Sequence, residues 1–152
     1  MELKRVVVTG LGALTPIGNT LPDYWESLKK GVSGAARITY FDPKHHKTQF
    51  ACELKGFDVN EFIHRKEARR MDKFSQYAMV VSEEAINDAR LTEGSFNPDR
   101  VGVIWGSGIG GLETFQDEAQ VLLKARENDA GPKFNPFFIP KMIADIAPGN
   151  IS

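Results

Sequence analysis

Three stretches of this sequence hold residue types that could do chemistry. In "VGVIWGSGIGGLETF", Gly106, Gly108 and Gly111 keep the G-x-G-x-x-G spacing with which a strand-to-helix turn brings backbone N–H groups against a dinucleotide pyrophosphate. In "HRKEARRMDK", Arg65, Lys66, Arg69, Arg70 and Lys73 outnumber Glu67 and Asp72 by five to two, an excess that could steer an acidic partner. In "QFACELK" stands Cys52, the single cysteine, which could attack a substrate only as a thiolate. His45, His46 and His64 add imidazoles that could bind a metal or move a proton near neutral pH.

Each signal has to survive its context. Fourteen glycines in a short chain make a chance glycine match easy. The dinucleotide fold also needs a second strand ending at an acidic residue about 20 positions further on. Glu127 and Asp129 lie near that distance, but a helical pattern precedes them and "AGPKFNPFF" follows, so the strand is missing. The opening "VVVTGLGALTPIG" fails as a short-chain dehydrogenase turn because Leu14 occupies a glycine position, and no Gly-Lys-Ser/Thr closes a P-loop. Cys52 sits neither at a helix start nor beside a clearly activating base, and is expected to be a buried structural thiol. Adjacent His45 and His46 cannot form an i, i+4 metal pair, so exposed loop positions are expected, with His64 also at the surface and no metal site. The basic run is ordinarily a solvated face. Its spacing, however, lets one helical turn display Lys66, Arg69 and Arg70 together.

The elements that would position these residues follow from patterning. Arg5 to Leu11 is a β-branched run ending at glycines and predicts a buried strand, as does the apolar run from Val101. Between them, Thr20 with Asp23 reads as a capping box opening a helix that closes at Gly31, with Leu21, Trp25 and Leu28 inward. Val32 to Ile63 reads as loops with a short strand near Gln49 to Leu54. Asp72 is a plausible N-cap for a long helix carrying Phe74, Tyr77, Ala78, Val81, Ala85 and Ala89 on its inner face. Leu112 to Arg126 predicts the next helix, with Glu113, Asp117 and Glu118 early, where the helix dipole favours anions. Strand, helix, irregular region, helix, strand, helix is an α/β order.

Composition narrows the class. The 152 residues are 41% hydrophobic and 26% charged, with a net charge of −1, which describes a globular chain without a field for nucleic acid or an anionic membrane. A single cysteine excludes a disulfide framework. No signal-peptide core and no apolar run of about 18 residues is present, so a cytoplasmic protein is expected. The "AGPKFNPFFIPKMIADIAPGNIS" segment begins another helix whose Met142, Ile143 and Ile146 need partners. It suggests the opening part of a longer fold.

Four ordered stretches, "RVVVTGLGALTPIGN", "RKEARRMDKFSQYA", "GSGIGGLETF" and "NPFFIPKMI", resemble the elongating β-ketoacyl-[acyl carrier protein] synthases of bacterial type II fatty acid synthesis. The resemblance covers the chain nearly end to end. It implies a thiolase-like layered α/β/α fold, of which residues 1–152 would be the N-terminal part of the first half. It implies a decarboxylative Claisen condensation through a cysteine nucleophile and histidines that lie later in the family's chain, leaving no catalytic residue among these. By the same resemblance, Lys66, Arg69 and Arg70 dock an acidic acyl carrier protein, whose phosphopantetheine arm is the only prosthetic group required. Ile109 limits the depth of the acyl pocket, Phe138 reaches it from the neighbouring subunit, and the complete enzyme is a homodimer. A chain-length factor, a non-catalytic partner of such synthases, would share these motifs, and a nucleotide-binding module would rest on the glycine turn alone.

Overall fold

A computed structural model describes residues 3–152. Six α-helices dominate the described residues: α1 Leu21–Lys29, α2 Arg65–Ala68, α3 Lys73–Asp88, α4 Leu112–Glu127, α5 Phe138–Met142 and α6 Ile146–Ile151. One antiparallel ladder joins β1 Ala36–Arg37 to β2 Phe50–Ala51, with Ala36 opposite Ala51 and Arg37 opposite Phe50. The chain forms two compact units, residues up to Asp58 with Val81–Phe96, and Val59–Val80 with Asn97–Ser152.

In the first unit, α1 starts as its capping box predicts. The Thr20 hydroxyl accepts from the Asp23 N–H at 3.3 Å and donates to the Asp23 carboxylate at 2.8 Å. Its partly covered face is Leu21, Tyr24 and Ser27, whereas Trp25 and Leu28 face out. This corrects the predicted Leu21–Trp25–Leu28 face by about one residue's rotation. Lys29 reaches back over the Trp25 ring, 6.0 Å from its centroid. The C-terminal half of α3 organises the glycine-rich N-terminal segment. A Cβ on Gly10 would stand 2.2 Å from the Ala85 carbonyl oxygen, and one on Gly12 would stand 2.1 Å from that of Val81, so only hydrogen fits at either position. Glu84 then accepts from the Ala13 and Leu21 N–H groups, both at 2.7 Å, and Asp88 from the Leu11 N–H at 2.9 Å. These carboxylates satisfy donors that no ladder takes up.

Two expected strands do not form. Val6 is 90% exposed and Val7 and Val8 are also exposed, while Ile104 is 99% exposed. A strand is not a free-standing element: its backbone groups need a hydrogen-bonded neighbour and its faces need cover. Among the described residues the β1–β2 ladder is the only sheet. Cys52 is exposed rather than buried, because from Gln49 to Glu53 coverage alternates with the strand period and Cys52 falls on the outer phase beside Phe50.

The second unit holds most of the small buried core, in which Ile63, Ala68, Ala78, Val80 and Ala147 are apolar and Asp72, Ser75, Thr114 and Glu118 are polar. Segment 135–151 breaks into α5 and α6 rather than running as one helix. The backbone turns extended at Ile143, with ψ 134°.

Candidate functional site

The basic run folds as one turn followed by a corner. His64 opens α2, its Nδ1 accepting from the Lys66 N–H at 3.3 Å, and Arg69 closes the turn with near-helical backbone angles. Gln76 of α3 reaches back to donate to the Ala68 carbonyl at 2.8 Å, which fixes the corner between the two helices. Arg65, Lys66, Arg69 and Arg70 are all exposed, and none takes part in an ion pair among the described residues. The site residues predicted to share one helical turn nevertheless diverge. Arg69 lines one cavity, of ≈ 460 Å³, and Arg70 lines another, of ≈ 530 Å³. Lys66 lines neither.

The first cavity is the one ringed by charged side chains. Arg65 and Arg69 border it from α2, Lys73 from α3, Glu113 and Asp117 from α4, and Lys141 from α5. Two of its acidic groups are already committed. Glu113 pairs with Lys73 at 2.9 Å. The buried Asp72 carboxylate accepts from both the Thr114 N–H, at 3.1 Å, and the Thr114 hydroxyl. Gly111 caps α4 without any side-chain hydrogen bond, so Asp72 does for the α4 N-terminus what a local capping residue ordinarily does. Asp72 precedes α3 as predicted, and its backbone carbonyl accepts from Ser75 and Gln76. Its side chain belongs to α4.

The second cavity is apolar, with Met71, Met79, Phe137, Pro140 and Ile146 in its wall. The Arg70 guanidinium lies 5.2 Å from the centroid of Phe137, a cation–π contact that holds the arginine at its rim.

The glycine turn is built for protein backbone. Gly110 has φ +82°, and a Cβ there would meet the Met142 carbonyl oxygen at 2.3 Å, while one on Gly111 would meet that of Lys141 at 2.2 Å. The Gly111 N–H donates to Met142 at 2.9 Å. The N–H that a phosphate would need is therefore spent on α5, which removes the dinucleotide reading on structural grounds as well. Gly106 and Gly108 have nothing within 4 Å of an added Cβ, so close backbone approach is confined to Gly110 and Gly111. Ile109 stands 70% exposed between Gly108 and Gly110. Phe138 is half-buried and stacks on Phe134 at 6.4 Å, and neither Ile109 nor Phe138 lines the two cavities above.

His45 and His46 are exposed loop residues, as expected, with His46 edge-on to Phe41 at 5.2 Å. Among the described residues no three His, Cys, Asp or Glu side chains are grouped to hold a metal ion, and no helix is long and apolar enough to cross a membrane. Sequence reasoning missed Lys141 and Thr114 as members of the first cavity. No local signal marks either one, since each acquires its neighbours only through α5 and α4 folding back on the α2–α3 corner.

The basic corner thus stands in the same compact unit as a glycine turn that receives a following helix. The family described as "Beta-ketoacyl synthase, N-terminal domain" matches residues 3–152, and the chain belongs to it. Among similar curated proteins are the 3-oxoacyl-[acyl-carrier-protein] synthase 2 of Synechocystis sp., 50% identical over 98% of this chain, and that of Staphylococcus aureus strain COL, 47% identical over 98%. The chain spans 35% of the length of each. Solved structures agree in fold. A β-ketoacyl synthase from Burkholderia phymatum superposes with a TM-score of 0.76 at 28% identity, over 99% of this chain and 36% of its own. A type II polyketide ketosynthase solved in complex with its acyl-carrier protein gives 0.74 at 28%, over 99% and 38%. The fold is therefore thiolase-like, and the helices described here are the N-terminal share of it.

Proposed function

We propose that the protein to which these residues belong is a 3-oxoacyl-[acyl carrier protein] synthase of fatty acid elongation. The observation that carries this reading is the 47–50% identity to synthases of that name across 98% of the chain. In the reaction, an acyl group passes from its carrier thioester to an enzyme thiol, releasing the carrier thiol. Malonyl thioester loses carbon dioxide, and the resulting carbanion forms the new carbon–carbon bond while expelling the enzyme thiolate. Cys52, exposed beside a two-residue strand and outside the motifs that resemble the family's, is not assigned that role. The chain's own contribution is docking and pocket wall. Lys66, Arg69 and Arg70 are exposed cations outside any described ion pair, suited to steer an acidic carrier that brings its phosphopantetheine arm with it. Ile109, the one large side chain in its glycine turn, borders the acyl tail in this reading, and Phe138 completes the pocket from the second subunit of a cytoplasmic homodimer.

The chain-length-factor alternative is weaker. The solved neighbour whose description names a ketosynthase/chain length factor is 27% identical, against 47–50% for the synthases. The test is to incubate the complete protein with acyl- and malonyl-carrier thioesters and look for the 3-oxoacyl product and carbon dioxide. Absence of both, with a folded protein, refutes the synthase reading. Replacing Arg69 and Arg70 together by glutamate is expected to weaken carrier binding at low salt, and unchanged binding refutes the docking role.

A further inference from the structure

We infer that the cavity bordered by Arg65, Arg69 and Lys141 is a carboxylate pocket that fixes the register of the docked carrier, separate from the contact made by Lys66 and Arg70. The inference rests on the carrier-docking reading and goes beyond it in naming Arg65 and Lys141 and in dividing the basic corner in two.

The geometry supports it in three ways. Arg65 and Arg69 stand one turn apart, linked by the Arg69 N–H to Arg65 carbonyl hydrogen bond of 3.3 Å, so both side chains leave the same face of α2. Lys141 enters the same cavity from α5, whose backbone is locked against Gly110 and Gly111 and is therefore held in place rather than free to withdraw. The charges do not cancel internally. Glu113 is taken by Lys73, and Asp72 by Thr114, which leaves Asp117 as the only cavity carboxylate without a described partner, against three cations that have none. Asp117 offsets one of these charges, and the remaining positive excess around the opening favours entry of a further anion. At ≈ 460 Å³ the cavity admits an acidic side chain. Arginine on one wall supplies a planar fork for a carboxylate, and lysine on the other supplies a point charge. Arg70 cannot contribute, because it is held over Phe137 at the other cavity.

The test compares Lys141→Glu, Arg65→Glu, Lys66→Glu and Arg70→Glu in the complete protein. Carrier affinity is measured by anisotropy of labelled acyl carrier protein, and turnover with both carrier-borne and carrier-free acyl thioesters. Lys141→Glu and Arg65→Glu are expected to raise the carrier Kd and KM roughly tenfold at low salt, with kcat for the carrier-free substrate unchanged. The effect should shrink as the Debye length falls from about 10 Å at 0.1 M salt to about 3 Å at 1 M. Should the reversal lower the melting temperature, Lys141→Gln is used instead, and about a threefold loss is expected because attraction is removed without new repulsion. Losses in Lys66→Glu and Arg70→Glu with none at Lys141 or Arg65 overturn the pocket and leave the docking reading standing. No loss in any variant overturns both.

Discussion

Replacing Asp72 by alanine isolates the contact that ties the α2–α3 corner to α4. The carboxylate is 7% exposed and Thr114 is 5% exposed, so water cannot take over the bonds that are lost. The Thr114 N–H lies in the first turn of α4, and leaving it and the hydroxyl unsatisfied costs about 1–3 kcal/mol each. Removing the negative charge from the positive end of the helix adds about 0.3–1 kcal/mol. The sum predicts a loss of roughly 2–7 kcal/mol for Asp72→Ala, with about 1–2 kcal/mol for Thr114→Val, which forfeits only the hydroxyl's share. Because the two residues touch, the double variant should be less damaged than the sum of the singles by at least about 1 kcal/mol. Urea unfolding of the complete protein, with the slope held as a check on two-state behaviour, reads these values directly. Additive losses, or an Asp72→Ala variant within about 0.5 kcal/mol of the parent, would show that the remote carboxylate does not cap α4.

Three further predictions follow from particular contacts. Gly12→Ala drives a methyl to 2.1 Å from the Val81 carbonyl oxygen, an overpacking of backbone that should destabilise by about 1–3 kcal/mol. Gly131→Ala, with nothing within 4 Å, should stay within about 0.5 kcal/mol in the same urea titration; equal effects would refute the close approach. Desolvation pushes the Glu53 carboxyl up, but the Thr39 hydroxyl and the Thr39 and Tyr40 N–H groups outweigh it and hold the carboxyl below its ordinary value of 4.5. A lowered folded value means that the stabilisation is present above pH 4.5 and is lost as pH falls through the folded value. Protection of the Thr39 and Tyr40 amides, taken relative to their intrinsic exchange rates, should therefore fall in acid in the parent and be low at every pH in Glu53→Ala, whereas parallel pH courses would refute the assignment. Ile109→Phe in the complete enzyme should abolish turnover of long acyl acceptors while sparing short ones, and losses equal across chain lengths would refute a pocket-depth role.

Local chemistry was legible in the sequence wherever one stretch contains both partners of an interaction. The Thr20–Asp23 capping box, the start of α3 after Asp72 and the exposed His45–His46 loop are all read within a few residues, because capping and helical period are short-range. The basic run was legible as charge, and the four motifs as family. The distribution of that charge was not: Arg69 and Arg70 border different cavities, and a run of letters does not say which distant segments will wall each one. Val6–Val8 and Val101–Ile104 carry strand composition, yet composition supplies neither the neighbouring backbone nor the cover that makes a strand. The missing second strand already excluded a dinucleotide loop at the glycine turn, but nothing in the sequence showed that its Gly111 N–H is taken by α5. Asp72 with Thr114, and Lys141 with Arg65 and Arg69, meet only after α4 and α5 fold back on the corner. Sequence thus determined the family, the local caps and the sign of the charge. Tertiary structure alone decided which cations share a cavity, because that depends on contacts between segments far apart in the chain.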